Sequence, residues 1–249
     1  MANDKFERVE IKYLLKREQF NIIIEEIKSY MKPDIYGKST IQSLYFDTDN
    51  DLLVRRSLDK PFYKEKLRLR SYGIANMNDN VFLEIKKKYN GIVYKRRITI
   101  PQSDVKPFLN KELNFSSQIG QELNYFRNYY KTLKPSTLII YDREAYFDGD
   151  LRITFDTNIK YRKFDLTLDK GFYGNPIIEN DEVLMEIKLA NAMPFWLVNI
   201  LEAANAYKTS FSKYGRSYQI ANQRLDLKTN MIYKNINQKV LEFIWRPVP

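Results

Sequence analysis

The chain has 249 residues, of which 44% are hydrophobic, and its 41 basic and 31 acidic residues give a formal net charge of +10. This composition permits a sizeable core, argues against global disorder, and favours an anionic partner such as phosphate, nucleic acid or an anionic membrane surface. Because cysteine and histidine are both absent, disulfides, thiolate nucleophiles, histidine-dependent triads, phosphohistidine and histidine-ligated zinc are excluded.

The remaining residue types restrict both the metal chemistry and the location. A bound metal would need oxygen ligands, which favours Mg²⁺ or Mn²⁺ as the cofactor. Met1–Glu10 is charged, and no stretch approaches the roughly 18 apolar residues that a transmembrane helix needs. We therefore expect a cytoplasmic protein without a membrane segment.

The first part of the chain is predicted to be mostly strands. Apolar residues at helical spacing predict a helix over Arg17–Tyr30, and the acidic run from Asp47 is expected to cap a short helix through Arg56. Tyr89, Asn90 and Gly91 lie between two alternating runs and are the strongest hairpin signal in the chain. The predicted strands are Glu7–Leu14, Thr40–Asp47, Lys64–Tyr72, Val81–Lys88 and Ile92–Ile100.

The second part of the chain alternates helices with further strands. Ser103–Lys131 is predicted to form two helices, and a last helix is predicted over Ser212–Gln223. The segments between them are predicted as a hairpin of Leu138–Phe147 with Leu151–Lys160, a loop over Gly171–Asn180, a strand over Val183–Leu189 and a helix that begins near Pro194. We expect one domain over residues 1–225 and a tail over residues 226–249, whose F-I-W run at Phe243 docks on that domain.

Lys64–Tyr72 carries the most informative pattern. As a strand it places Lys66, Arg68 and Arg70 on one face and Leu67 and Leu69 on the other. Charged residues also alternate with apolar ones in six other strands. These residues are Glu10, Lys12, Glu84, Lys86, Lys95, Arg97, Arg143, Arg152, Glu186 and Lys188. For one strand, a solvated sheet face explains the pattern; for seven strands together that explanation weakens, because the charged residue is repeatedly Lys or Arg.

Closure of the sheet would bring these charged faces together. The sequence predicts an α+β fold in which an eight-stranded antiparallel β-barrel forms a tunnel, with helices packed on the outside. Like charges about 6 Å apart repel by roughly 2–3 kcal/mol at an effective dielectric constant of about 20, which a bound chain of phosphates would relieve. The three strand glutamates would either pair with cations or bind a metal. We expect the ion pair for Glu84 and the metal for Glu186, with Glu10 as a second ligand.

An ordered set of motifs resembles one protein family. The motifs are E-I-K at Glu10, K-L-R-L-R, F-L-E-I-K, Y-K-R-R-I, Y-D-R-E-A-Y, L-R-I-T-F-D, L-M-E-I-K-L and S-F-S-K-Y-G-R-S. From about Glu7 to Gln219 the chain resembles the VTC domain, the polyphosphate polymerase domain of the vacuolar transporter chaperone complex and a member of the triphosphate tunnel metalloenzymes. The resemblance implies an eight-stranded tunnel in which the γ-phosphate of ATP is polymerised into polyphosphate with Mn²⁺ or Mg²⁺.

The resemblance also implies roles for individual residues. The expected catalytic residues are Lys12, Arg70, Lys95 and Arg143, and the metal carboxylate that the resemblance implies is Glu186, beside the Glu10 that the strand pattern adds. Lys213 would contact the substrate at the tunnel mouth. The phosphate-binding residues that the resemblance implies are Lys12, Arg68, Arg70, Lys86, Lys95, Arg143 and Arg152. The strand pattern adds Arg97 and Lys188, and with Lys213 these make up the expected phosphate-binding set.

Two other functions remain compatible with the sequence. A triphosphatase would use the same tunnel with water as the acceptor, and a binding module would hold polyphosphate without turnover. Nucleic acid is not expected as a partner, because most strand aromatics are predicted to lie opposite the cations, whereas nucleic-acid binders place both on one face. The expected ligands are therefore ATP and inorganic polyphosphate or triphosphate.

Overall fold

One antiparallel sheet dominates the structure, a computed structural model that describes residues 9–59, 61–90, 92–190 and 192–225. Eight strands have eight or more residues: β1 (Val9–Lys16), β2 (Ser39–Asp47), β3 (Tyr63–Tyr72), β4 (Asn80–Tyr89), β5 (Ile92–Pro101), β6 (Lys134–Asp148), β7 (Leu151–Arg162) and β8 (Glu182–Leu189). Two-residue strands at Lys32–Pro33, Asn175–Pro176 and Lys208–Thr209 extend the sheet. The predicted α+β class and the strand assignments are confirmed, with small shifts at strand ends.

The strands follow the order β1-β8-β7-β6-β2-β3-β4-β5. The side chain of Lys86 in β4 reaches Glu10 in β1 at 3.4 Å, so the sheet curls until strands from its two ends approach each other. The predicted closed barrel is nevertheless wrong for the described residues, because no ladder joins β5 to β1 there. Lys208–Thr209 instead pairs with Lys12 and Tyr13, which occupies part of the β1 edge that closure would use.

Five helices cover the convex face of the sheet. They are α1 (Arg17–Ile27), α2 (Leu52–Leu58), α3 (Val105–Leu109), α4 (Gln118–Tyr129) and α5 (Phe195–Ala203), with a 3₁₀ turn at Gln102–Asp104. Helices α1 and α5 pack on β1, β7 and β8 through Ile23, Ile27 and Leu197. Helices α2, α3 and α4 pack on the opposite part of the sheet, where Phe108 and Leu123 meet the leucines of β3. The two cores follow from the period-two alternation, which turns one apolar face of each strand outward.

A sixth helix, α6, spans residues 213–225 and packs on the other, concave face. The ring of Tyr214 stacks on Tyr45 of β2 with centroids 4.4 Å apart, and its hydroxyl donates to buried Asp47 at 2.6 Å. Phe211 and Tyr218 pack against the same cluster. The prediction that all helices lie outside is therefore wrong for α6, because one end of the concave face is apolar and needs covering.

Several predicted features lie wholly or partly outside the described residues. These are Glu7 in the first predicted strand, Gly91 in the hairpin turn, and the tail over residues 226–249 with its F-I-W run. In the described part of that turn, Asn90 has φ of +44°, a backbone conformation that asparagine tolerates well. Among the described helices, none has both the length and the hydropathy needed to cross a membrane.

Candidate active site

Strand register brings most of the predicted charged residues onto the concave face of the sheet. We define this face by rows of residues that are directly paired across neighbouring strands. Directly paired residues of antiparallel strands point to the same side of the sheet. The rows are Glu10–Lys188–Arg152, Lys12–Glu186–Thr154, Lys66–Lys86–Lys95, Arg68–Glu84–Arg97, Ser43–Arg70 and Arg143–Asp156. These rows combine ten basic side chains with four carboxylates, which is an arrangement suited to a polyanion and a metal ion.

Glu84 lies buried at the centre of the β3–β5 part of this face, with only 1% of its surface exposed. Its carboxylate accepts from Arg68 Nε at 2.7 Å and contacts Lys95 Nζ at 2.7 Å, with Arg70 Nε 3.9 Å away. Burial by itself raises the pKa of Glu84, but Arg68, Arg70 and Lys95 outweigh that effect and lower the pKa to about 2. Glu84 thus orients these cations, as the expected ion pair requires.

Asp156 anchors a second group of cations. Its fully buried carboxylate accepts two hydrogen bonds from Arg143, at 2.6 and 2.7 Å, and pairs with Lys213. Burial opposes ionisation, yet Arg143 and Lys213 lower the pKa of Asp156 below its ordinary value. Lys213 also lies 4.5 Å over the ring of Tyr141, so it faces the interior of the concave face. Sequence reasoning missed Asp156, although alternation places it on the same strand face as Arg152 and Thr154.

Glu186 and Glu10 form a pair of interacting carboxyl groups. Lys188 Nζ is 3.5 Å from Glu186, while Lys12 and Lys86 are 3.1 and 3.4 Å from Glu10. Burial raises the pKa of Glu186, but Lys188 and Lys12 hold it well below the usual range. The Glu186 carboxylate is therefore available as an anionic oxygen ligand at neutral pH, and the Glu10 carboxylate lies beside it.

The donor set of this pair fits a hard divalent cation. Within the described residues, no third acidic side chain joins Glu10 and Glu186 in a metal-binding cluster. Mg²⁺ typically takes one or two carboxylates together with water and substrate phosphates. Two carboxylates beside a cluster of cations match that pattern, whereas a site that depends wholly on protein ligands would need more donors.

Lys66 is a member of the concave face that the predicted site did not include. It donates to Ser212 Oγ at 3.1 Å, and no carboxylate within the described ranges lies at ion-pair distance from it. The pKa of Lys66 is lowered to about 7. Burial is the largest cause, and repulsion from the nearby cations Lys86, Lys12, Lys64 and Arg68 adds to it. The cluster therefore holds an excess of positive charge that a bound anion would compensate.

Tyrosines also contribute to this face, contrary to the expected separation of aromatics from cations. Arg68 donates to the hydroxyl of Tyr45 at 3.3 Å, and Arg70 donates to that of Tyr141 at 3.2 Å. Burial opposes ionisation of both phenols, but the arginines lower the pKa of Tyr45 and of Tyr141. Each oxygen accepts from a guanidinium, so each hydroxyl hydrogen remains available to a ligand.

Two predicted phosphate-binding residues lie at the periphery. Arg152 is half-exposed and donates to Asp34 at 2.7 Å, away from the other cations. Arg97 is exposed and lies 4.6 Å over the ring of Phe82. The structure therefore brings together Lys12, Arg68, Arg70, Lys86, Lys95, Arg143, Lys188 and Lys213, and separates Arg152 and Arg97 from this group.

The lowered pKa of Lys66 leads to a testable pH dependence. An anion will bind more tightly when Lys66 carries its proton, so we expect the affinity for inorganic tripolyphosphate to weaken as pH rises through about 7. Lys66→Met should lack the part of this pH dependence that is due to Lys66. Calorimetric titrations of the variant and the wild type from pH 6 to 9 measure the difference. Since tripolyphosphate itself titrates near neutrality, the difference between the two proteins is the relevant quantity. Parallel pH profiles would contradict the assignment.

Taken with the fold, the site defines a class: a curled antiparallel sheet whose concave face carries clustered cations suited to a polyanion and a pair of carboxylates suited to a divalent cation. The sequence profile of the VTC domain matches residues 7–222, and the chain belongs to this family. No curated protein matches the chain.

Solved structures resemble this fold at low sequence identity. A candidate adenylate cyclase from Bacillus halodurans superposes with a TM-score of 0.53 at 14% identity, over 83% of this chain and 95% of that one. A candidate adenylyl cyclase from Hippeastrum, whose description reports a dominant triphosphatase activity, has a TM-score of 0.48 at 15% identity, over 84% and 96% of the two chains. At these identities the first similarity supports the fold alone.

Proposed function

We propose that this protein is a metal-dependent polyphosphate polymerase that transfers the γ-phosphate of ATP to a growing polyphosphate chain. The observation that carries the proposal is the group of inward-facing cations around the Glu10–Glu186 pair. Family membership agrees with it, since the VTC domain is a polyphosphate polymerase domain. A linear polyanion with a bound divalent cation matches both the charge and the extended shape of this face.

The proposed reaction needs no nucleophile from the protein. The terminal phosphate of the acceptor attacks the γ-phosphate of ATP in line, and ADP leaves. Arg70 and Arg143 present forked donors to the transferring phosphate, while Lys12 and Lys95 act as point charges. These groups are already held by Glu84, Asp156 and Glu10, so little reorganisation accompanies the development of charge.

Glu186 and Glu10 are the residues that would hold Mg²⁺ or Mn²⁺. When bound there, the metal would neutralise charge on phosphate oxygens and so favour attack by an anionic acceptor. Lys188 and Lys12 hold the pKa of Glu186 well below its usual range, so the Glu186 carboxylate stays ionised. The protein contribution is thus a pair of charged ligands placed next to the phosphate-binding cations.

Hydrolysis is the second candidate, and the open sheet favours it. No ladder closes β5 onto β1 within the described residues, and Lys95 at this opening is 41% exposed. Water therefore has access to the concave face and could replace phosphate as the acceptor. A triphosphatase would use the same cations and the same carboxylates.

The products formed from ATP distinguish the two reactions. Purified protein is incubated with ATP and either Mn²⁺ or Mg²⁺, the products are resolved by length on a gel, and free phosphate is assayed. A ladder of phosphate polymers supports the polymerase, whereas free phosphate without a ladder assigns a triphosphatase. Polyphosphate binding without either product would leave a binding module and contradict catalysis.

Glu186→Gln should separate metal-dependent turnover from anion binding. Loss of one carboxylate is expected to reduce turnover about 100-fold, because a metal ligand is removed. Without divalent cations the same variant should bind tripolyphosphate more tightly, by about tenfold, since the concave face gains one unit of positive charge. Initial rates and calorimetric titrations measure the two effects.

Glu182→Gln is the matched control for this experiment. Glu182 lies on the same strand but pairs with exposed Lys16 at 3.2 Å, at the far end of β8. It should leave both turnover and affinity near wild type. Equal behaviour of the two variants would remove Glu186 from the metal site.

A further inference from the structure

Lys66, Arg68 and Arg70 leave the same face of β3 and form a row of cations along that strand. An aromatic pair continues this row. Arg70 and Tyr72 are two residues apart on β3, so their side chains leave the same side of the strand roughly 7 Å apart. Phe82 on β4 is the direct partner of Arg70. Its ring lies 5.9 Å from that of Tyr72 at an interplanar angle of 83°. The row of positive charge thus ends in an aromatic surface.

Arg97 adds a flat cation to this surface. Its guanidinium lies 4.6 Å over the ring of Phe82, and it is opposite Glu84 in the β4–β5 register. Glu84 is already engaged by Arg68 and Lys95, and no described carboxylate pairs with Arg97. The guanidinium is therefore free to contact a ligand, and Tyr72, which contacts the same Phe82 ring, is 53% exposed.

The opposite end of the same row is covered. Lys66 donates to Ser212 just before α6, and Tyr214 in the first turn of α6 bonds Asp47 at the end of β2. Lys66 is also the register partner of Lys86, which contacts Glu10. The row therefore runs from an exposed aromatic end at Tyr72 to a covered end close to the carboxylate pair.

We propose that Tyr72, Phe82 and Arg97 form a subsite for the nucleobase of a nucleoside triphosphate. The triphosphate would extend from this subsite along Arg70, Arg68 and Lys66, with its γ-phosphate towards Glu10 and Glu186. This inference rests on the proposed use of a nucleoside triphosphate as substrate. In this arrangement Arg97 contacts the base of the nucleotide, because its guanidinium lies over the ring of Phe82.

Stacking is the chemistry that this subsite offers. Bases stack on aromatic rings and on guanidinium planes, and this interaction tolerates different bases because every base has a π-face. The subsite should therefore favour purines through their larger area and distinguish ATP poorly from GTP. Inorganic tripolyphosphate has no base, so it should gain nothing from these residues.

The test compares two ligands that differ in the nucleoside. The β,γ-imido analogue of ATP and inorganic tripolyphosphate are titrated calorimetrically into the full chain, wild type and variant. Tyr72→Ala and Phe82→Leu are each expected to weaken the ATP analogue by about tenfold and to leave tripolyphosphate within about twofold. Tyr125→Ala, on the exposed outer side of α4, is the matched aromatic control and should change neither affinity.

The outcomes separate this inference from the proposed function. Equal weakening of both ligands, or of neither, overturns the base subsite, whatever polymer the enzyme makes. A base-dependent difference with no polymer ladder supports the subsite and rejects the polymerase. Failure of the wild type to bind either ligand would overturn both. Phe82→Leu keeps an apolar side chain of similar volume, and unfolding midpoints of all variants verify that they are folded.

Discussion

Replacement of Arg70 by alanine is expected to slow phosphate transfer by about 10²–10³-fold, the usual cost of losing one preorganised donor to a developing charge. Arg70 is 7% exposed, and its guanidinium bonds the hydroxyl groups of Ser43 and Tyr141 at 3.4 and 3.2 Å. Its nearest described carboxylate, on Glu84, is 3.9 Å away. Its charge is thus held in position but only weakly compensated, which is the condition in which it can act on a phosphate.

The fold should survive this substitution. Glu84 keeps its contacts with Arg68 and Lys95, so no buried carboxylate loses its last partner. Turnover of ATP and thermal unfolding are measured on Arg70→Ala, on Arg70→Lys, and on Arg96→Ala as an exposed control that contacts Glu122. Arg70→Lys should be intermediate, because it restores the charge but not the fork. A wild-type rate in Arg70→Ala would exclude Arg70 from the reaction.

Replacement of Asp156 by alanine is expected to lower the free energy of unfolding by about 3–5 kcal/mol, as when one partner of a buried ion pair is removed. Arg143 and Lys213 would remain close together without their common carboxylate. Activity should fall as well, since both cations lose their fixed positions. Urea unfolding at neutral pH measures the stability, and the same preparation gives the rate.

The control for Asp156→Ala is Asp142→Ala on the neighbouring strand. Asp142 is only partly buried and bonds the neutral side chains of Thr40 and Asn158, so its loss should cost about 1–2 kcal/mol. Added tripolyphosphate should restore part of the stability of Asp156→Ala, because its charge can replace that of the carboxylate. Equal stability of the two variants, with no effect of tripolyphosphate, would contradict an anchoring role.

The pH dependence of this contribution has a definite sign. Because the pKa of Asp156 is lowered in the folded protein, its stabilising effect is present above the ordinary aspartate pKa of about 4. It is lost as the pH falls through the lowered value. Asp156→Ala and the wild type should therefore converge in stability in acid.

Alternation along the strands was the most informative local pattern. A run such as Lys64–Tyr72 sends alternate side chains to opposite faces wherever the strand lies in a sheet, so the shared face of Lys66, Arg68 and Arg70 followed from sequence. The ion pair of Glu84 was also predictable, because a carboxylate among so many cations is rarely left unpaired. Asp156 was missed because its role depends on Lys213, which is 57 residues away along the chain.

The sequence by itself determined the antiparallel strands, the identity of the charged face and the absence of histidine and cysteine chemistry, because these depend on residue type and on a local period of two. Only the tertiary structure decided that, within the described residues, no ladder joins β5 to β1, that α6 covers one end of the concave face, and that exposed Tyr72 and Arg97 both contact the ring of Phe82. These features depend on edge pairing and on packing between segments distant in the chain. Such contacts leave no periodic signal in either segment alone.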